Sequence, residues 1–306
     1  MNTQSNTVPE PSFQSQGITP AAVSPIQTMY WSIRRELWEN RSIYIAPLIA
    51  AAVLLLGYFV SMVSLRRRMH GAWTLGSAME HYELAGAVIM GTAFIVGIFY
   101  SLDALYGERR DRSILFWKSL PVSDLITVLS KLTIPFVVLP ILSLVITVAA
   151  QFIMLVLTSA MLLGSGVNTA TLWTGPSFVH VSLVLLYHII TVHGLWYAPF
   201  YGWLLLVSAW APRAPFLWAV LPPFVICGLE KVAFGTSYCL GLLQSRLTGP
   251  QASASATSGG GHTGMEFMAT LVPQHFFSEP GLWIGLAVAA AFVAGAVQMR
   301  RYKGPI

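Results

Sequence analysis

Charge is the scarcest feature of this sequence. Only 9% of its 306 residues are Asp, Glu, Lys or Arg, and 55% are hydrophobic, whereas an ordinary soluble domain carries roughly 25% charged residues. This shortage argues against a soluble protein and predicts a membrane protein. The net charge of +5 comes mostly from segments beside apolar stretches, which favours a role in membrane topology over nucleic-acid binding.

Several catalytic and nucleotide-binding motifs are also missing. None of the four lysines follows a glycine, so the sequence has no Walker-type phosphate-binding loop. Neither H-E-x-x-H nor G-x-S-x-G occurs, so the common zinc-protease and hydrolase motifs are absent. His188 and His193 lie five positions apart, about 140° around an α-helix, and we do not expect them to converge on a metal. We therefore expect a chain that is not an enzyme and holds no cofactor of its own.

Cysteine is nearly absent as well. The two cysteines, Cys227 and Cys239, lie twelve positions apart in apolar surroundings. This spacing matches no zinc-binding pattern and gives no disulfide framework. We predict that both are packing residues.

What the sequence does contain is long apolar segments. About 20 apolar residues cross a bilayer core, and we assign six spans, at about residues 43–64, 84–105, 132–163, 178–210, 216–231 and 281–299. The expected fold is an all-α polytopic membrane protein, with one transmembrane domain over residues 26–306. Residues 1–25 have no basic residue and no apolar core, so we expect a disordered tail and no cleavable signal peptide.

The distribution of basic residues predicts the orientation. Six spans place both termini on one side, which carries 12 lysines and arginines against 4 on the other. Positively charged loops stay in the cytoplasm, so both termini are expected in the cytoplasm. We expect the chain itself to lie in the inner membrane of a bacterium. The cluster Arg66–Arg68 goes against the rule, which indicates either a different number of spans or a basic patch on the outer side.

Two shorter segments differ from the spans. Residues 26–40 have helical periodicity and suit a helix lying at the membrane interface, or else an extension of the first span; the shared face is Ile26, Met29, Tyr30, Ile33 and Leu37. Glu230 and Lys231 lie about 14 residues into the fifth segment, roughly 21 Å into a ~30 Å core. They are pathway or gate candidates; the alternative is a helix end at the outer interface, followed by a short re-entrant helix.

The longest charged stretch between apolar segments is Tyr106–Leu132, YGERRDRSILFWKSLPVSDLITVLSKL. Charged residues come first, then the apolar run Ile114–Trp117, and then a helix break at Ser119-Leu120-Pro121. Ser123 is the expected N-cap of the next helix. The composition leaves two interpretations open, a docking surface for a soluble partner or an ordinary basic cytoplasmic loop.

The order E-R-x-D-R-S-x-x-F-x-x-S-L-P-V-S after the second span resembles the ABC-2 type permeases, the membrane subunits of ATP-binding-cassette exporters. The resemblance extends over about residues 26–303. It implies an amphipathic elbow helix before the first span, re-entrant helices between spans five and six, and a cytoplasmic coupling helix between spans two and three. That coupling helix would sit in a groove of a separate ATPase subunit, which binds the ATP and magnesium. A second permease chain would complete the complex, and spans one, two and five would form the pathway and the dimer interface.

Under this resemblance, the ATPase contacts come from the charged stretch itself: Glu108, Arg109, Arg110, Arg112, Ser113, Leu115, Phe116, Trp117, Lys118, Leu120 and Pro121. The apolar side chains, with Ile114, would fill the groove, and the basic ones would pair with acids of the ATPase. Glu108 would also hold the stretch to a neighbouring helix. The expected function is ATP-driven export of an unspecified cargo. The alternative is a free-standing secondary transporter that uses Glu230 and Lys231, although no inverted repeat is visible between the halves.

Overall fold

A computed structural model of the chain describes residues 24–68, 75–120, 122–162, 178–248, 273–304 and 306. The expected tail, apart from its last two residues, and Pro121 lie outside these ranges. Within them, every regular element is a helix. The helices are α1 (Pro25–Glu39), α2 (Ser42–Arg68), α3 (Leu75–Ala104), α4 (Tyr106–Arg110), α5 (Ser113–Ser119), α6 (Asp124–Thr133), α7 (Leu139–Leu162), α8 (Phe178–His188), α9 (Ala198–Trp210), α10 (Pro215–Phe234), α11 (Tyr238–Thr248), α12 (Pro273–Ser278) and α13 (Pro280–Tyr302).

Five stretches in the described ranges are long and apolar enough to cross a membrane. They are Ser42–Val63, Leu84–Arg110, Asp124–Met161, Pro215–Phe234 and Pro280–Tyr302. A sixth span results if Leu185–Trp196 and Ala198–Trp210, which meet at an angle of 45°, count as one. These stretches coincide with the predicted segments, so the prediction of an all-helical, multi-pass membrane protein is confirmed.

Two π-helical segments interrupt the spans. Ile134–Val138 joins α6 to α7 and contains Pro135. Proline lacks an N–H and clashes with the carbonyl four residues earlier, and the wider π turn accommodates it. Ile189–Trp196 follows α8, and the N–H of Tyr197 bonds to the carbonyl of Val192, 3.0 Å away and five residues earlier. The chain then bends at Tyr197.

The centre of the bundle is formed by α3, α7, α9 and α13, with α2 against α3 and α7. The contact of α9 with α13 is the most extensive, and it depends on Gly202. A Cβ added there would lie 3.2 Å from the carbonyl oxygen of Ala289, so a larger residue would push the two helices apart. A core cluster that includes Ile43, Leu105 and Leu205 fills the end of the bundle next to α4 and α6.

By contrast, α10 is the least buried span. Only 6% of its most apolar window is buried, against 22–44% for the other four unbroken spans. It packs against α9, α11 and α3. Most of its apolar surface is thus left for lipid or another chain to cover.

The prediction that Cys227 and Cys239 are packing residues is wrong, because they form a disulfide between α10 and α11. Helix α10 ends at Gly235, which has φ +67°, a conformation that glycine adopts without steric cost. The short turn after it reverses the chain and brings the two Cα atoms to 5.2 Å. The twelve-residue spacing therefore matches a helix–turn–helix return.

Candidate functional site

Helix α4 is fixed to the end of α9. The hydroxyl oxygen of Ser208 accepts hydrogen bonds from the N–H groups of Leu105 and Tyr106, at 3.0 and 2.9 Å. Nη1 of Arg109 donates to the carbonyl oxygens of Ala209 and Ala211, at 2.8 and 3.2 Å. The last carbonyls of a helix have no partner within it, and a cation is favoured beside them. Arg109 therefore caps α9.

Six charged side chains form what we call the ion cluster beside α4: Arg35, Glu36, Glu108, Asp124, Lys131 and Arg300. On the α1 side, Glu36 is 1% exposed. Its Oε1 lies 2.8 Å from both Lys131 Nζ and Arg35 Nη2. Tyr100 donates a hydrogen bond to Oε2 at 2.8 Å. Both carboxylate oxygens of Glu36 are thus paired.

On the other side, Glu108 connects the remaining members of the cluster. Its Oε1 lies 3.1 Å from Lys131 Nζ and 3.6 Å from Arg35 Nη2. Its Oε2 pairs with Arg300, which also reaches Asp124 at 3.1 Å. The cluster thereby joins α1, α4, α6 and α13, and the prediction that Glu108 holds the loop to a neighbouring helix is confirmed.

The charges of the ion cluster balance, since it contains three carboxylates and three cations. Glu39 reaches Arg35 at 3.4 Å from the solvent-exposed edge, where its charge is screened. Burial raises the pKa of Glu36, but Lys131, Arg35 and the Tyr100 hydrogen bond together outweigh it, and the pKa stays below its usual 4.5. Glu36 is therefore ionised at neutral pH.

Helix α5 follows α4 and lies beside the ion cluster. Ile114 is buried, whereas Leu115 and Phe116 are 58% and 60% exposed. The guanidinium of Arg35 lies 3.7 Å from the centroid of the Trp117 ring, so an ion-cluster residue also braces α5. Arg112, between α4 and α5, has φ +59°, a left-handed conformation that costs a residue with a side chain roughly 1–2 kcal/mol. The direction in which α5 leaves α4 is thus held against local strain.

The expected ATPase contacts divide into an exposed and a buried set. Arg110, Arg112, Leu115, Phe116 and Lys118 are exposed, and Ser113, Trp117 and Leu120 are partly so. Glu108 and Arg109 are buried and bonded within the chain. They do not reach the surface on which we expected them, because each fastens α4 to other helices.

Glu230 is a helix cap in the structure. Its carboxylate accepts hydrogen bonds from the Thr236 hydroxyl and from the N–H groups of Tyr238 and Cys239, at 2.8, 2.7 and 2.8 Å. The first N–H groups of α11 thus find an acceptor of favourable charge. Lys231 is exposed. Helix α10 continues to Phe234, so the helix does not end at Glu230 and Lys231 as expected, but this geometry supports a structural role near the helix end over a gate.

His188 and His193 lie closer together than the separation of about 140° expected for a regular α-helix. Their ring centroids lie 6.1 Å apart, because the i→i+5 hydrogen bonds of the π-helical segment bring residues five apart to the same side of the helix. Both ring nitrogens of His193 are buried without a hydrogen-bond partner in the structure, and the ring packs against Phe94 and Tyr197. Among the described residues, no group of three metal-ligating side chains forms.

Comparison with protein-family models, curated proteins and solved structures finds no match for this chain.

Proposed function

We propose that this chain is the membrane subunit of an ATP-driven exporter of the ABC-2 type, and that α5 is its coupling helix. The observation that carries the proposal is the exposure of Leu115 and Phe116 in the middle of a short helix outside the apolar spans. Large exposed apolar side chains are typical of a contact with a protein or a membrane, and we take the contact to be with the ATPase. The exposed basic residues on either side are Arg112 and Lys118. They would pair with acidic residues of the partner's groove and so fix the orientation of α5 in it.

The ion cluster provides a route for force from α5 to the spans. A push on α5 reaches α1, α6 and α13 through Glu108, Lys131 and Arg300. It reaches α9 through Arg109 and Ser208. Because close-packed interiors transmit displacement, ATP-driven movement of the partner would tilt several spans together.

The disulfide supports the proposed topology. Helix α10 begins just after α9, at the end of the bundle that carries α4, and runs away from it to Cys227 and Glu230. Disulfides persist in oxidising compartments outside the cytoplasm. A Cys227–Cys239 bridge on the outer side supports a cytoplasmic position for α5, in agreement with the excess of basic residues on that side.

The exposed surface of α10 supports a second permease chain. In the proposed complex α10, together with the first and second spans, lines the pathway and meets the second copy, and α11 is the re-entrant helix. ATP and magnesium are bound by the ATPase subunit. The ATPase would supply the energy and this chain the path.

The test is co-purification of this chain with the ABC ATPase encoded beside its gene. Leu115→Ala with Phe116→Ala removes the exposed apolar side chains of α5 while leaving the ion cluster intact. Burial of each side chain contributes about 1–2 kcal/mol, so binding should weaken roughly 30- to 700-fold. The control is Val232→Ala with Phe234→Ala, which are 87% and 79% exposed near the other end of α10.

Binding that is lost in the α5 variant and kept in the control supports the proposal. Equal binding by both variants and the unaltered chain would contradict the coupling role. A chain that never binds an ATPase would contradict the proposed function as a whole.

A further inference from the structure

Helix α11 is fastened to α10 at its first turn. Cys239 is disulfide-bonded to Cys227 of α10, and Glu230 of α10 accepts the N–H groups of Tyr238 and Cys239. The disulfide is a covalent connection, and the Glu230 carboxylate is a charged cap on the first turn of α11. The start of α11 therefore follows α10 wherever α10 moves.

The last turn of α11 is fastened to the bent fourth span. Trp196 Nε1 donates to the carbonyl oxygen of Ser245 at 3.3 Å, and the Tyr197 hydroxyl donates to that of Leu247 at 3.0 Å. The guanidinium of Arg246 lies 4.3 Å from the centroid of the Trp196 ring. A cation over an indole face is favourable, more so away from water. Three successive residues of α11 thus hold Trp196 and Tyr197, where the span bends by 45°.

The same turn also binds the start of α13. Arg246 donates to the carbonyl oxygen of Gly281 and lies directly above Gly285. A Cβ added at Gly285 would be 2.6 Å from Arg246 Nη2, so a side chain there would displace the guanidinium. Gly285, which has no side chain, thus makes room on α13 for the guanidinium of Arg246.

We propose that α11 is a strap that couples α10 to the bend of the fourth span, and that the Cys227–Cys239 disulfide is its redox-sensitive clamp. Helix α10 is the least buried span, so little else restrains it. With the clamp closed, movement of α10 pulls on Trp196 and Tyr197. With the clamp open, only the Glu230 cap and the three-residue turn 235–237 hold the start of α11, and the two helices move more independently. The strap does not depend on the proposed function, whereas the redox step takes the outer position of α11 from the proposed topology.

The redox step is ordinary thiol–disulfide exchange. To close the clamp, the two cysteine thiols lose two protons and two electrons to a disulfide-bearing oxidant, which becomes a dithiol. To open it, a thiolate of dithiothreitol attacks one sulfur and forms a mixed disulfide. Its second thiol then releases the cysteine, and dithiothreitol leaves as a cyclic disulfide. The oxidant acts on the outer side, where α11 lies in the proposed topology.

The test is hydrogen exchange measured by mass spectrometry on the full chain in lipid nanodiscs, with and without dithiothreitol. Exchange is expected to rise about fivefold or more, as for a typical coupling free energy, both in α11 and in the bend over residues 194–200. Amides of α7 should stay unchanged. The matched control is Cys227→Ser with Cys239→Ser, which should exchange fast at the bend and show no response to dithiothreitol.

A second variant tests the other end of the strap. Tyr197→Phe removes one hydrogen bond to α11 and keeps the ring, so exchange should rise in the last turn of α11 with the disulfide intact. Reduction that loosens α11 and leaves the bend unchanged would overturn the strap. Free thiols in freshly isolated membranes, detected by alkylation, would overturn the clamp.

Discussion

Lys131→Met gives the sharpest test of the ion cluster. Lys131 is 3% exposed, and its Nζ lies 2.8 and 3.1 Å from carboxylate oxygens of Glu36 and Glu108. Methionine has a similar length and no charge, so the substitution leaves one buried negative charge unbalanced. Removing one partner of a buried ion pair costs about 3–5 kcal/mol. At about 2–4 °C per kcal/mol, the melting temperature should fall by roughly 6–20 °C.

The assay is thermal unfolding of the purified chain in one detergent, followed by far-ultraviolet circular dichroism. The control is Arg110→Met, because Arg110 is 54% exposed and pairs with Asp103 and Asp111 at the surface. Such pairs contribute about 0–1 kcal/mol, so the control should melt within a few degrees of the unaltered chain. Adding Glu36→Gln to Lys131→Met restores the charge balance and should recover part of the loss. A Lys131→Met chain that melts within about 2 °C of the unaltered one, or a double variant that recovers nothing, would refute the reasoning.

Two further predictions concern pH and the buried histidine. Glu36 has a pKa below its usual 4.5 in the folded chain, so the unfolded chain binds more protons between the two values. Its stabilisation is complete above about pH 4.5 and is lost as the pH falls through the folded value, so the melting temperature should decline in that range. A Glu36→Gln variant that declines as steeply would contradict this. His193→Phe should raise the melting temperature, because each unpaired buried nitrogen costs about 1–3 kcal/mol; a lower melting temperature would show that the imidazole has a required partner.

The positions of the spans could be predicted because apolar length is a local property of the sequence. The first span was predicted at residues 43–64 and lies at Ser42–Val63. The fifth was predicted at 216–231 and lies at Pro215–Phe234. The loop predicted over residues 65–83 is shorter, since α2 continues to Arg68 and α3 begins at Leu75. Charged and polar residues thus extend both helices beyond their apolar parts.

The ion cluster could not be predicted in full, because its members come from four separate helices. Lys131 and Arg300 are far apart in sequence, and nothing local to either indicates the other. Glu36 did carry a signal. It lies three residues after Ile33 and one before Leu37, on the face of α1 that packs inward, and an acid on such a face requires a buried partner.

The expected spacing of the two histidines and the packing role of the two cysteines both missed an irregular local geometry. The chain departs from regular α-helix at the π-helical segment before Tyr197 and at the turn at Gly235. The available signals were a proline inside the fourth predicted span, Pro199, and a glycine between the two cysteines, Gly235.

The most direct test of the proposed function is co-purification, from the same membranes, of the ATPase encoded beside this gene with the unaltered chain and with Leu115→Ala/Phe116→Ala. The account predicts a stable complex, with ATP hydrolysis that responds to the unaltered chain, and no complex with the α5 variant. Recovery of both chains without any ATPase, or of both with equal ATPase, would contradict it.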